Sequence, residues 1–95
     1  MARFSILNNL ETCYFCGKPK EHIHEVYFGR NRQISIKYGF CVGLCAYHHE
    51  ASNNSVHKNR KMDLILKRRY QKEYEKTHTR SEFIKLIGEN YITGE

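Results

Sequence analysis

The chain has no apolar run long enough to span a bilayer, and residues 1–12 (MARFSILNNLET) lack the apolar stretch of a secretory signal. Both absences point to a cytoplasmic protein, in which clustered cysteines ligate metal more often than they pair. Nothing repeats and no low-complexity linker interrupts the sequence, so its 95 residues read as a single domain. Tryptophan is missing and Leu, Ile and Val are thinly spread, so seven Tyr and five Phe supply much of the apolar area. A globule this small buries only about 60–65% of the surface its unfolded chain exposes. It therefore calls for a staple: a metal, a disulfide or a partner. Acidic residues are also short, 10 against 16 Lys and Arg, for a net charge of +6. That balance favours a polyanionic partner, nucleic acid being the commonest; the plainer reading is a solubilising surface charge. Neither a membrane nor a small-molecule substrate is implied.

What is present in quantity is metal-ligand chemistry, with four Cys and six His. Cys13-x2-Cys16 is followed by Cys45-x2-His48 after an interval of 28 residues. Two ligands at such spacing grip one edge of a tetrahedron, and a second pair from a distant segment closes it around structural zinc. Gly17 and Pro19 follow the first pair as turn formers, giving Cys13–Lys20 the form of a zinc knuckle. Cys41 could replace His48 through Cys41-x3-Cys45, but x2 spacing on both sides favours His48. Cys41 is then a small buried hydrophobe.

Residues 22–28 (HIHEVYF) alternate as a strand, with Ile23, Glu25 and Tyr27 on one face and His22, His24, Val26 and Phe28 on the other. Residues 30–33 read as a polar loop and 38–44 (YGFCVGL) as a second strand, its two glycines marking close backbone approach. From about Lys58 to Lys76 a helix is expected, its buried stripe formed by Met62, Leu66, Tyr70 and Tyr74 and widened by Ile65. Thr79-Arg80-Ser81-Glu82 has capping-box spacing, so a last helix should start near Arg80, stop at Gly88 and bury Phe83, Leu86 and Ile87. Phe4, Ile6 and Leu7 of the lead-in are placed against the core.

Several blocks then combine: CYFCG at 13–17, HEVYFGRNRQIS at 24–35, YGFCVGLCAYHH at 38–49, VH at 56–57, and the tail from KMDLILK to EFIKLIGENY. Over residues 13–91 they resemble the HNH (His-Me finger, or ββα-metal) endonucleases, and more closely the small phage HNH proteins related to recombination-enhancement nucleases. The resemblance implies an α+β fold: a zinc-knuckle-stabilised ββα-metal core at about 13–57, followed by two C-terminal helices at about 58–91. It also implies a divalent cation, Mg2+ or Mn2+, near the scissile phosphate, with His24, His49 and possible third ligand His57 holding it. Arg30, Arg32, Lys58, Arg60, Lys67, Arg68 and Arg69 would meet DNA phosphates or a partner.

Two positions depart from the family pattern. The residue after His24 is Glu25 where the family carries a His base, and a carboxylate with an ordinary value near 4.3 is a weak base unless burial raises it. No Asn stands near Phe40 or Cys41, where the family's base-orienting Asn should fall. The expectation is therefore a retired phage nuclease scaffold. In size and zinc content it also resembles some anti-CRISPR inhibitors of type II RNA-guided effector nucleases. It would bind the host effector and block DNA loading. The alternative is an active metal-dependent endonuclease with Glu25 as base. A sequence-specific DNA-binding module ranks last, since no helical face is marked for base reading.

Overall fold

Side-chain alternation puts His22–Glu25 into β1, which pairs antiparallel with β2 (Cys41–Leu44), His22 opposite Leu44 and Glu25 opposite Cys41. The computed structural model describes residues 2–92 of this α+β chain. Both strands are shorter than expected. β1 stops at Glu25 rather than reaching Phe28, although the Val26 N–H still donates to the Phe40 carbonyl at 2.9 Å. Beyond that point Ser35 replaces the ladder: its hydroxyl donates to the Tyr27 carbonyl (2.6 Å) and accepts from the Tyr27 N–H (3.1 Å). Gly29, at φ 64°, then turns the chain away and leaves Phe28 at the surface.

The polar loop expected at 30–33 is instead a tight turn, Gly29–Asn31, running into α1 (Arg32–Tyr38). A seven-residue helix is too short to show a 3.6-residue period, and Ile34-Ser35-Ile36 alternates like a strand. α1 ends at Gly39 in the left-handed region (φ 79°), where any Cβ would collide with the Phe4 ring. Residues 38–40 thus close a helix instead of opening the second strand.

In β2 the close approach falls at Gly43. Its N–H donates to the Asn8 side chain and its carbonyl accepts from Tyr14 N–H, both at 2.9 Å. A Cβ there would lie 2.7 Å from the Thr12 carbonyl, so the knuckle segment lies directly on β2. Gly43→Ala should therefore cost about 1–3 kcal/mol of stability through overpacking against backbone. Urea unfolding of the zinc-loaded protein measures it, and an unchanged midpoint would contradict this packing.

The C-terminal helices form where the sequence placed them. Asn59 caps α2 (Arg60–Tyr74), accepting from the N–H groups of Lys61 and Met62. Thr79 and Glu82 make a reciprocal capping box at α3 (Arg80–Ile87), which ends at Gly88, φ 95°. Leu66 and Tyr70 are fully buried, with Met62 and Tyr74 packed partly against the core. Ile65 does not widen this stripe; it is 41% exposed. The stripe widens on its other side through Asp63, Lys67 and Gln71, buried polar residues that each find partners. The Tyr70 hydroxyl donates to the Cys41 carbonyl (2.8 Å) and accepts from Ser5 (2.7 Å), tying lead-in, β2 and α2 together. Tyr27, Phe40, Phe83 and Ile87 complete the core around these contacts, and Leu86 packs at its edge.

Candidate metal centre

The knuckle is shaped by its own backbone. Gly17 N–H donates to the Cys13 carbonyl (2.9 Å) and Cys13 N–H to the Lys18 carbonyl (2.7 Å), with Gly17 at φ 77°. This turn sets Cys13 and Cys16 side by side. Cys45 leaves the end of β2, and a wide helical turn at Tyr47–Ala51 brings His48 back beside it. The ligand atoms of Cys13, Cys16, Cys45 and His48 all lie within 4.8 Å of one another. His48 Nδ1 stands 3.3 Å from Cys45 Sγ and 3.5 Å from Cys13 Sγ, and Cys16 Sγ is 3.7 Å from Cys45 Sγ. With Zn–S of about 2.3 Å and Zn–N of about 2.0–2.1 Å, a tetrahedral zinc sets edges of roughly 3.5–3.8 Å. The four residues sit close enough to hold a metal ion such as zinc.

Electrostatics at this cluster favour a thiolate at Cys13. Burial pushes its thiol up, but the backbone N–H groups of Cys45, Cys16 and Phe15 outweigh that effect and leave it below its ordinary value. Cys45 is raised, chiefly by burial. Cys41 takes no part. It is fully buried, its Sγ donates to the Ser35 carbonyl, and burial pushes it up to about 11.

A second cluster is built on the same Tyr47–Ala51 turn, through the residue that follows His48. His24 comes from β1, His49 from the turn, and His57 from the loop before α2. That loop is laced to the turn by Val56 N–H to the His48 carbonyl (2.8 Å) and His57 N–H to the His49 carbonyl (3.2 Å). One nitrogen from each of the three rings lies within 4.8 Å of the others, and the Nε2 atoms of His49 and His57 are 3.1 Å apart. His24 is 4% exposed, and its Nε2 is buried with no hydrogen-bond partner; His49 Nδ1 is likewise unpartnered. A buried imidazole nitrogen left without a proton partner is costly in an apo protein. Ligation by a cation would satisfy it, so these residues fit a metal. No protein-family model, curated protein or solved structure matches this chain.

Burial, followed by His57, His49 and Lys67, brings His24 down to about 3, and burial lowers His49 as well. Both rings are therefore neutral at pH 7, with lone pairs free for ligation. The lowered value also sets a direction for acid stability. Below the ordinary value near 6.5 the unfolded chain takes up a proton at His24 that the native state refuses. Stability is therefore full above pH 7 and falls as the pH drops from about 6.5 toward 3, by up to about 1.4 kcal/mol per pH unit from this group. Urea unfolding between pH 4 and 7.5 should show a shallower decline in His24→Leu than in the wild type. Equal slopes would mean that His24 does not carry the effect.

The remaining sequence candidates divide. Glu25 is on the opposite face of β1 from His24, where its carboxylate accepts from Arg3 (2.8 Å) and Arg32 (3.2 Å). That ion-paired carboxylate lies outside the histidine cluster, and Arg32 is committed with it. Lys67 is buried, paired with Asp63 and set over the Phe28 ring at 4.1 Å, so it is no surface phosphate contact. Arg60 also pairs with Asp63 (2.6 Å), and Arg68 donates to the Tyr91 carbonyl. Arg30 packs against Gly88 at the end of α3. Lys58 and Arg69 are exposed, and Lys58 lies beside His57.

Two cavities are lined by these candidates. The larger, about 500 Å³, is lined by Arg3, Lys20, Glu21, His22, Ile23, Glu25 and Arg32 and excludes the three histidines. The smaller, about 360 Å³, is lined by Phe28, Val56, His57, Lys58, Arg60 and Asp63 and opens directly beside the cluster. Sequence reasoning gave His22 no role, yet its ring lies 4.6 Å from that of His49, and with Glu50 the two form another group able to hold a cation. Its position two residues before His24 on one strand was the available signal.

Proposed function

We propose that this chain is a metal-dependent DNA endonuclease of the HNH kind, stapled by zinc at Cys13, Cys16, Cys45 and His48. The observation that carries the reading is the convergence of His24, His49 and His57, one ring nitrogen of each within 4.8 Å of the others, together with the buried, unpartnered Nε2 of His24. Three histidines with an open side are a donor set used for hydrolytic metal sites. A divalent ion held there supplies Lewis-acid stabilisation of charge on a scissile phosphate. The protein's own contribution is to hold the His24 and His49 imidazoles neutral by burial and to set the exposed Lys58 beside His57, where it draws the phosphate backbone to the cluster. Incubation with supercoiled plasmid plus Mg2+ or Mn2+ tests this: nicked circles are expected, and intact plasmid with each metal would sink it.

The ion pairs at Glu25, with Phe40 and Cys41 where the family carries Asn, favour a second reading: a scaffold of phage origin that no longer cuts and instead inhibits a host RNA-guided nuclease by keeping DNA from loading. It expects stoichiometric inhibition of such an effector by wild type and His24→Ala alike.

A further inference from the structure

Phe28 is 47% exposed, yet its ring is held from several sides. The Lys67 ammonium sits 4.1 Å from its centroid, fixed there by Asp63, and the rings of His24 and His57 lie 5.8 and 6.0 Å away. An isolated exposed phenylalanine is unremarkable on a protein surface. This one walls a cleft of about 360 Å³ whose other sides are Val56, His57, Lys58, Arg60 and Asp63. The cleft therefore combines an aromatic platform, the exposed Lys58, the Arg60–Asp63 ion pair and one of the three clustered histidines. Its volume lies at the small end of the range for ligand pockets, suited to one nucleotide rather than a duplex.

We propose that this cleft receives the nucleobase adjoining the phosphate at His24, His49 and His57, stacked on Phe28, and that the substrate is DNA with an unpaired nucleotide at the cleavage point. Within a duplex both faces of a base are covered by its neighbours, so only a single-stranded or extruded base can offer one to a side chain. Lys58 then meets the flanking phosphate, and Lys67 holds the ring beneath the base. This assignment rests on the endonuclease reading of the three histidines.

The test is a fluorescence-anisotropy titration of the zinc-loaded full chain with a labelled single-stranded DNA oligonucleotide and with its duplex, in fixed salt and without added Mg2+ or Mn2+. Phe28→Leu should bind the single strand roughly ten- to a hundredfold more weakly. Duplex binding should be unchanged, and Phe28→Trp should retain the affinity. Zinc content and melting temperature matched to wild type confirm that each variant is folded. Equal single-strand affinity in Phe28→Leu overturns the proposal, as does a parallel loss on both DNAs. Cleavage with Mn2+ is read on the same samples. A wild type that cuts while Phe28→Leu binds and cuts equally well removes the stack and keeps the nuclease. A wild type that never cuts but loses single-strand affinity on Phe28→Leu keeps the stack and removes the nuclease.

Discussion

Cys13→Ser is expected to leave the chain unfolded at 37 °C, the largest stability effect of any single substitution considered. Cys13 is 2% exposed and Cys45 4%, so both sulfurs belong to the core as well as to the metal cluster. The segment before β1 reaches β2 and the residue leading into it through the Tyr14 and Asn8 hydrogen bonds to Gly43, the Glu21 N–H bond to the Leu44 carbonyl and the short bridge between Ser5 and Phe40. Those contacts are too few to hold a 95-residue chain's marginal core in place. Structural zinc contributes an apparent 10–16 kcal/mol, roughly the whole stability of a domain of ordinary size at about 5–15 kcal/mol. Serine removes one thiolate and buries a hydroxyl in its place, so the loss takes most of that stability with it. Far-UV circular dichroism and metal analysis should show a disordered, zinc-free chain, and Cys41→Ser should keep both zinc and fold. A Cys13→Ser protein that melts like zinc-loaded wild type would contradict the staple.

The convergence of Cys13, Cys16, Cys45 and His48 was legible because each pair is local. Two residues between ligands fix a turn, and the spacing that favoured His48 over Cys41 is a property of four consecutive residues. The ends of α3 were legible for the same reason: Thr79, Glu82 and Gly88 act within one turn of the helix they bound. α1 was hidden because its seven residues carry no readable period and its stabilising contact, Ser35 to Tyr27, crosses from another segment. The buried face of α2 was misjudged at Ile65 because a hydropathy pattern treats Asp63, Lys67 and Gln71 as surface residues. Only coordinates reveal that Asp63 and Lys67 pair with each other and that Gln71 satisfies the backbone at Tyr91.

The histidine cluster was partly legible too. Strand parity placed His24 and Glu25 on opposite faces, which the structure bears out. It gave no hint that Arg3, from the far end of the lead-in, would occupy the Glu25 carboxylate. Burial of His24, and with it the neutrality of the ring, depends on Phe28 and His57 closing over it from separate segments. A pairing made through space across 22 residues leaves no mark on local sequence pattern.

His24→Ala should lower plasmid nicking by about a hundredfold or more, because even outer-shell partners of a metal site are worth roughly 10–100-fold and His24 would be a direct ligand. The same variant should lose one equivalent of bound metal per chain, while the ion held by the three thiols and His48 remains. Truncation also removes a buried imidazole whose Nε2 has no protein partner, so the fold should survive with a modest change in melting temperature. Glu25→Gln separates this account from one in which Glu25 is the base. Its carboxylate holds Arg3 and Arg32 on the other face of β1, so the substitution should weaken two ion pairs and leave the cutting rate within a few-fold of wild type. A hundredfold loss in Glu25→Gln with His24→Ala still active would reverse the assignment and move the chemistry to the larger cavity. Loss in His24→Ala alone, together with loss of the second metal equivalent, assigns cutting to the three histidines.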